Sequence, residues 1–117
     1  MARTILIVDD HPSFRSSARR VLEAGGFAVV GEAADAATGF AAARDLRPDV
    51  VLLDVGLPDA DGFRVAHCIN TLSDPPQVVI VSSRDSSDFG PLVAGCGACG
   101  FVAKADLSGD AVAALLL

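Results

Sequence analysis

Four short apolar runs, each stopped by a residue able to do chemistry, constrain this chain more than any other feature. Thr4-Ile5-Leu6-Ile7-Val8 runs into Asp9-Asp10, and Val50-Val51-Leu52-Leu53 runs into Asp54. Val78-Val79-Ile80-Val81 runs into Ser82, and Gly100-Phe101-Val102-Ala103 runs into Lys104. Uniformly apolar runs of this length suit strands buried on both faces, because successive side chains point to opposite sides of a sheet. The segments between them have helical spacing. Phe14, Ala18, Val21 and Leu22 share one side of a first helix that Gly25-Gly26 stops. Phe27 to Ala33 reads as a further strand, and Asp35 is placed to cap a helix from Ala36 to about Leu46, before Pro48.

The third strand is expected over Asp49 to Leu53, followed by a loop from Val55 to Gly62 and a helix from Phe63 to Leu72. Gly90-Pro91 interrupts the next helical stretch. Proline is tolerated only in a first helical turn, so a loop and then a short helix starting near Pro91 are expected. A last helix begins at Ser108 and runs toward Leu117. Five strand–helix repeats of this kind make an α/β fold, a parallel sheet with helices on both faces.

At 117 residues and 51% hydrophobic content the chain suits one ordered domain that needs no disulfide or metal to fold. No apolar run approaches the roughly 18 residues of a membrane span, and the start shows no signal-peptide pattern, so a cytoplasmic location is expected. The net charge is −6, with 13 Asp against 2 Glu. An acidic chain does not bind DNA by releasing counterions. The three cysteines, Cys68, Cys96 and Cys99, fit no disulfide framework, and Cys96-Gly-Ala-Cys99 has no second pair to complete a zinc site. They read as small buried apolar residues.

In an open parallel sheet, ligands gather beyond the carboxyl ends of the strands. Asp9, Asp10, Asp54, Ser82 and Lys104 all fall there. Singly, each has a plainer role: a helix cap for Asp10 or Ser82, a turn residue for Asp54, a solvated cation for Lys104. Jointly those roles leave the common placement unexplained. Three carboxylates repel one another unless a cation intervenes, and oxygen ligands from distant segments suit Mg²⁺ better than Ca²⁺. A central carboxylate with Mg²⁺, a lysine and a hydroxyl can accept a phosphoryl group and neutralise its charge.

With these anchors the chain resembles the response-regulator receiver family. The motifs are Ile5 to Pro12, Asp49 to Gly62, Val79 to Ser82 and Gly97 to Lys104, in order and correctly spaced over essentially all 117 residues. The resemblance implies a CheY-like (flavodoxin-like) fold with strand order 2-1-3-4-5. It makes Asp54 the phosphoacceptor, served by a histidine kinase or a small donor such as acetyl phosphate. Asp10, Asp54 and the Gly56 carbonyl would hold Mg²⁺, with Asp9 acting mainly through water. Lys104 would contact the phosphate, Ser82 would swing to hydrogen-bond it, and Phe101 would rotate inward behind it. That coupling would change the surface of the fourth helix, fifth strand and fifth helix. Homodimers through that surface, or through the first and fifth helices, are implied as partners.

The Asp-Asp-His-Pro-x-Phe-Arg opening is similar to receivers joined to helix-turn-helix DNA-binding domains. It implies a transcription-factor parent, with residues 1–117 as one receiver domain, a last helix short or cut, and the output domain outside this sequence. Ser82 stands where Thr is commoner, Phe101 where Tyr is frequent and Ala105 where Pro often follows the lysine. Gly56 and Arg84 fall where they would tune the phosphate lifetime. The Gly90-Pro91 break implies low hydrogen-exchange protection through Ser86 to Gly90.

Two other readings use the same residues. A phosphatase or dehalogenase-type hydrolase needs a second Asp two positions after the nucleophile, and position 56 is Gly. A phosphate-independent interaction module would not need the intact acid set.

Overall fold

The computed structural model describes residues 2–83 and 90–117. Its strands are β1 (Thr4–Val8), β2 (Ala28–Ala33), β3 (Val50–Asp54), β4 (Gln77–Ser82) and β5 (Gly100–Ala103). They alternate with the helices α1 (Pro12–Ala24), α2 (Ala36–Leu46), α3 (Gly62–Ile69), α4 (Gly90–Gly95) and α5 (Gly109–Ala113). All strand pairings are parallel, and the order is β2-β1-β3-β4-β5, as expected.

The strands carry apolar residues at every position because both faces of the sheet are covered. Leu6, Val8, Val51, Leu53, Val78 and Ile80 pack on one side with Ala43 of α2 and Val65, Ala66 and Ile69 of α3. Ile5, Ile7, Val50, Leu52, Val79 and Val81 pack on the other with Ala18 and Leu22 of α1 and Val112 of α5. Each fully buried Leu or Ile contributes about 2 kcal/mol relative to an exposed one. These twelve strand residues, not the short helices, therefore dominate the hydrophobic stabilisation.

Local signals set most helix starts. Pro12 opens α1 in its first turn. Asp35 caps α2 by accepting from the Thr38 N–H at 2.8 Å, and those Thr38 contacts hold its carboxyl below the usual range. A second carboxylate reaches the same helix end from the loop after β3, where Asp59 accepts from the N–H groups of Ala36 and Ala37. Gly26, at φ +94°, supplies the left-handed turn after α1.

Several boundaries differ from the sequence expectation. Helix α3 ends at Ile69 rather than Leu72: the N–H groups of Thr71 and Leu72 turn to the carbonyls three residues back, Cys68 and Ile69, while the Asn70 side chain bonds the Cys96 carbonyl at 2.9 Å and the Thr71 hydroxyl the Cys68 carbonyl. Helix α5 covers only Gly109–Ala113, and a 3-10 turn over Lys104–Asp106, which periodicity did not reveal, precedes it. Phe27 and Asp49 lie just outside their strands. Of the cysteines only Cys96 is buried; Cys99 is half-buried and Cys68 exposed. The short helix near Pro91 is present as α4. The loop expected before it, the exchange behaviour of Ser86 to Gly90 and the position of Arg84 fall outside the described residues.

Candidate functional site

Strand register builds the site. Val8 pairs with Leu53, so Asp9 and Asp54 emerge side by side from β1 and β3. Asp54 pairs with Val81, which places Ser82 one position beyond it on β4. Ser82 pairs with Ala103, which places Lys104 one position beyond that. Four polar residues expected at the carboxyl edge thus meet there through parallel pairing alone, at the β1/β3 crossing point where the strand order reverses.

Asp9 is fully buried, and Asp54 is 5% exposed. The Lys104 ammonium lies 2.6 Å from Asp9 Oδ2 and 3.6 Å from Asp54 Oδ1. It also stands 4.4 Å from the centre of the Phe14 ring. The lysine is therefore no solvated surface cation. Its side chain is 16% exposed and bridges the two buried acids. Burial is the main force pushing the Asp54 carboxyl above its ordinary range, and the Asp9 charge adds to it. Lys104 and the Gly56 N–H oppose the rise.

Asp10, the third acid, is only partly exposed and does not cap α1. His11 occupies the cap position, and the helix start has no side-chain cap. Asp10 instead faces the His11 ring, whose Nδ1 lies 3.1 Å from Asp10 Oδ1. Asp9, Asp10, His11 and Asp54 each offer a ligand atom within 4.8 Å of the others. Beside them opens a cleft of about 370 Å³ lined by His11, Asp54, Val55, Gly56, Ser82, Ser83 and Lys104. Phe101 sits on β5 beside Ile80 and packs, half-buried, against the core on the α2–α3 side.

The loop after Asp54 is held tightly. Val55 N–H donates to the Val81 carbonyl at 3.1 Å, and Gly62 N–H to the Val55 carbonyl at 2.7 Å. A Cβ on Gly62 would fall 2.2 Å from the Asp54 carbonyl oxygen, so this close crossing requires glycine.

Sequence reasoning missed three neighbours. Phe14 counts as a member of the first helix's apolar side and of the Asp-Asp-His-Pro-x-Phe-Arg opening, yet neither role implies that it lies against Lys104 from ninety residues away. Arg15 bonds the Asp9 carbonyl through its guanidinium and is steadied by Glu32 at 3.2 Å. His11 bonds Asp9 Oδ1 through its backbone N–H at 2.7 Å and lies 3.0 Å from it through Nδ1. All three stand in the Asp-Asp-His-Pro-x-Phe-Arg opening, but only His11, directly after the acid pair, has a place that points to the site by itself.

Residues 5–115 match the model of the response regulator receiver domain. The chain is 36% identical over 104 residues to BvgA, a positive transcription regulator of virulence factors in Bordetella pertussis, covering 89% of this chain and 50% of BvgA. It is 34% identical over 113 residues to the transcriptional regulatory protein NarL of Mycobacterium tuberculosis, covering 96% of this chain and 52% of NarL. The chain thus spans about half the length of the curated relatives it matches. Among solved structures, a two-component response regulator of the LuxR family from Aurantimonas superposes with a TM-score of 0.87 at 32% identity, over 98% of this chain and 86% of that one. Sheet order, register at the carboxyl edge and these matches agree: the chain belongs to the response-regulator receiver family.

Proposed function

We propose that Asp54 is the phosphoacceptor of this receiver and that Asp10, Asp54 and the Gly56 carbonyl hold a Mg²⁺ ion, with Asp9 acting through water. The observation that carries the reading is the placement of Asp54, nearly buried between Asp9 and Lys104 at the wall of an open cleft. The donor set fits a hard divalent ion. Among the described residues, nothing donates a hydrogen bond to the buried oxygens Asp9 Oδ2 and Asp10 Oδ1. Asp9 Oδ2 is met by the Lys104 ammonium at 2.6 Å and Asp10 Oδ1 by the His11 imidazole nitrogen at 3.1 Å, so both oxygens already face a positive or polar group and can turn to a cation. When bound, Mg²⁺ supplies positive charge that lowers the repulsion among the acids and the incoming phosphoryl oxygens.

The residues of the chain supply the rest. An Asp54 carboxylate oxygen forms the new O–P bond as the donor's P–N or P–O bond breaks, and imidazole or acetate leaves. Lys104, held between Asp9 and Asp54, is within reach of the transferred group and trades part of its carboxylate contact for phosphate oxygens. Ser82, on the neighbouring strand end, donates its hydroxyl to the same group. Phe101, one strand over, follows Ser82 inward and carries the change toward the α4–β5–α5 face, where a partner or second copy reads it. A histidine kinase is the expected donor in a cytoplasmic setting. No helix among the described residues is long and apolar enough to cross a membrane. Transcription control through a DNA-binding output domain is the role that the half-length match to BvgA and NarL supports.

Intact-mass measurement after incubation with acetyl phosphate tests the acceptor. A gain of one phosphoryl group that requires Mg²⁺ and disappears in Asp54→Asn is expected. A gain that persists in that variant, or no gain in the folded wild type, would overturn the assignment.

A further inference from the structure

The acid set accounts for Mg²⁺ without His11, yet the histidine is built into the same cluster. Its Nδ1 lies 3.0 Å from Asp9 Oδ1 and 3.1 Å from Asp10 Oδ1. The first of these contacts is a hydrogen bond; the second is not, and among the described residues nothing donates to the buried Asp10 Oδ1. Nitrogen and oxygen stand 3.1 Å apart, with the Nδ1 hydrogen bond directed at Asp9 instead. Adjacent ligands of an octahedral ion with bonds of about 2.1 Å are separated by about 3.0 Å, so the pair is spaced as neighbours in one coordination shell. Asp9, wholly buried, has its Oδ2 2.6 Å from the Lys104 ammonium. In this structure Nδ1 donates to Asp9 Oδ1; because the His11 ring is 62% exposed, Nε2 can take the ring proton when a cation displaces that hydrogen bond and Nδ1 turns to it.

We propose that His11 makes this site selective for borderline divalent transition-metal ions over Mg²⁺, by adding an imidazole nitrogen to the oxygens of Asp10 and Asp54. Imidazole binds ions such as Co²⁺, Ni²⁺ and Zn²⁺ far better than it binds Mg²⁺, which prefers oxygen. The inference rests on the acid site assigned above and concerns which ion that site takes. His11 then sets the metal preference of the switch, whereas the acids set its existence.

The test uses the full chain, freed of metal and titrated separately with Co²⁺ and Mg²⁺ by calorimetry at one fixed pH, for wild type, His11→Gln and His11→Ala. Gln keeps a side-chain donor for Asp9, and the three cysteines remain in every variant, so any thiol binding cancels in the comparison. The ratio of Co²⁺ to Mg²⁺ affinity is expected to fall roughly ten-fold in both variants. The chain has two histidines, and the second, His67, lies exposed on α3 as an internal reference. Imidazole NMR is expected to show the His11 ring resonances strongly displaced by Co²⁺ and those of His67 unmoved. An unchanged affinity ratio, or equal responses of the two rings, would overturn the inference while leaving Mg²⁺ binding by the acids intact. Failure of the wild type to bind either ion would remove the acid-site assignment and this inference with it.

Discussion

At the amino edge of the sheet Thr4 and Asp49 exchange two hydrogen bonds, the Thr4 N–H to Asp49 Oδ2 at 2.8 Å and the Asp49 N–H to Thr4 Oγ1 at 2.9 Å. Gln77 joins them there, giving its N–H to the Asp49 carbonyl and accepting the Leu117 N–H on its side chain. At the carboxyl edge, one strand length away, Asp9 and Asp54 crowd against one lysine, and among the described residues nothing donates to Asp9 Oδ2 or Asp10 Oδ1. The same sheet thus pairs Thr4, Asp49 and Gln77 at one end and leaves its acids charge-crowded at the other. Paired groups of the first kind hold strands in register. Crowded ones of the second kind make the folded chain less stable than its core allows, and they give a cation or phosphoryl group something to satisfy.

Removing Lys104 would break this contrast most severely. Lys104→Ala leaves Asp9 buried without its ion-pair partner, and a loss of about 3 kcal/mol in denaturant unfolding is expected, together with loss of most phosphorylation. A variant as stable as wild type would mean the ion pair does not compensate Asp9. Gly62→Ala comes next. Its Cβ would strike the Asp54 carbonyl, so the loop must shift, at about 2 kcal/mol and with weakened Mg²⁺ binding. Wild-type stability there would show that the crossing is looser than the structure has it. Asp49→Ala sharpens the comparison from the other edge. It should lower stability by about 1 kcal/mol while phosphorylation by acetyl phosphate proceeds at the wild-type rate. A slowed reaction would show that the two edges are coupled.

Most of this architecture was legible in the sequence, for a physical reason. Strands buried on both faces must be apolar throughout, so β1, β3 and β4 announced themselves, and the first polar residue after each marked the carboxyl edge. Parallel pairing then did the rest. Caps such as Asp35 are local chemistry and were readable too. The helix ends were not. At the end of α3 the Asn70 side chain bonds Cys96, a contact between distant segments that no window of sequence contains. Phe14 was hidden for the same reason: its helical spacing says core, and its contact with Lys104 depends on the assembled sheet. Cys99 read as buried, yet it is half-exposed, with its thiol on the Gln77 side chain at 3.5 Å.

The carboxyl edge also makes a pH-dependent claim. The Asp54 carboxyl, raised by burial and by Asp9, holds its proton to higher pH in the folded chain than in the unfolded one. Its stabilising contribution is therefore complete below the ordinary carboxylate pKa and is lost as pH rises through the raised value. Without divalent ions, wild-type stability should fall over that window, and Asp54→Asn should fall less.

Thermal unfolding of wild type and Asp54→Asn at neutral pH, each with and without Mg²⁺, tests the crowded-edge account most directly. Without the ion the variant is expected to melt above the wild type, and Mg²⁺ to raise the wild type more than the variant, closing the gap. A variant that melts at or below the wild type without divalent ions, or a wild type indifferent to Mg²⁺, would contradict it.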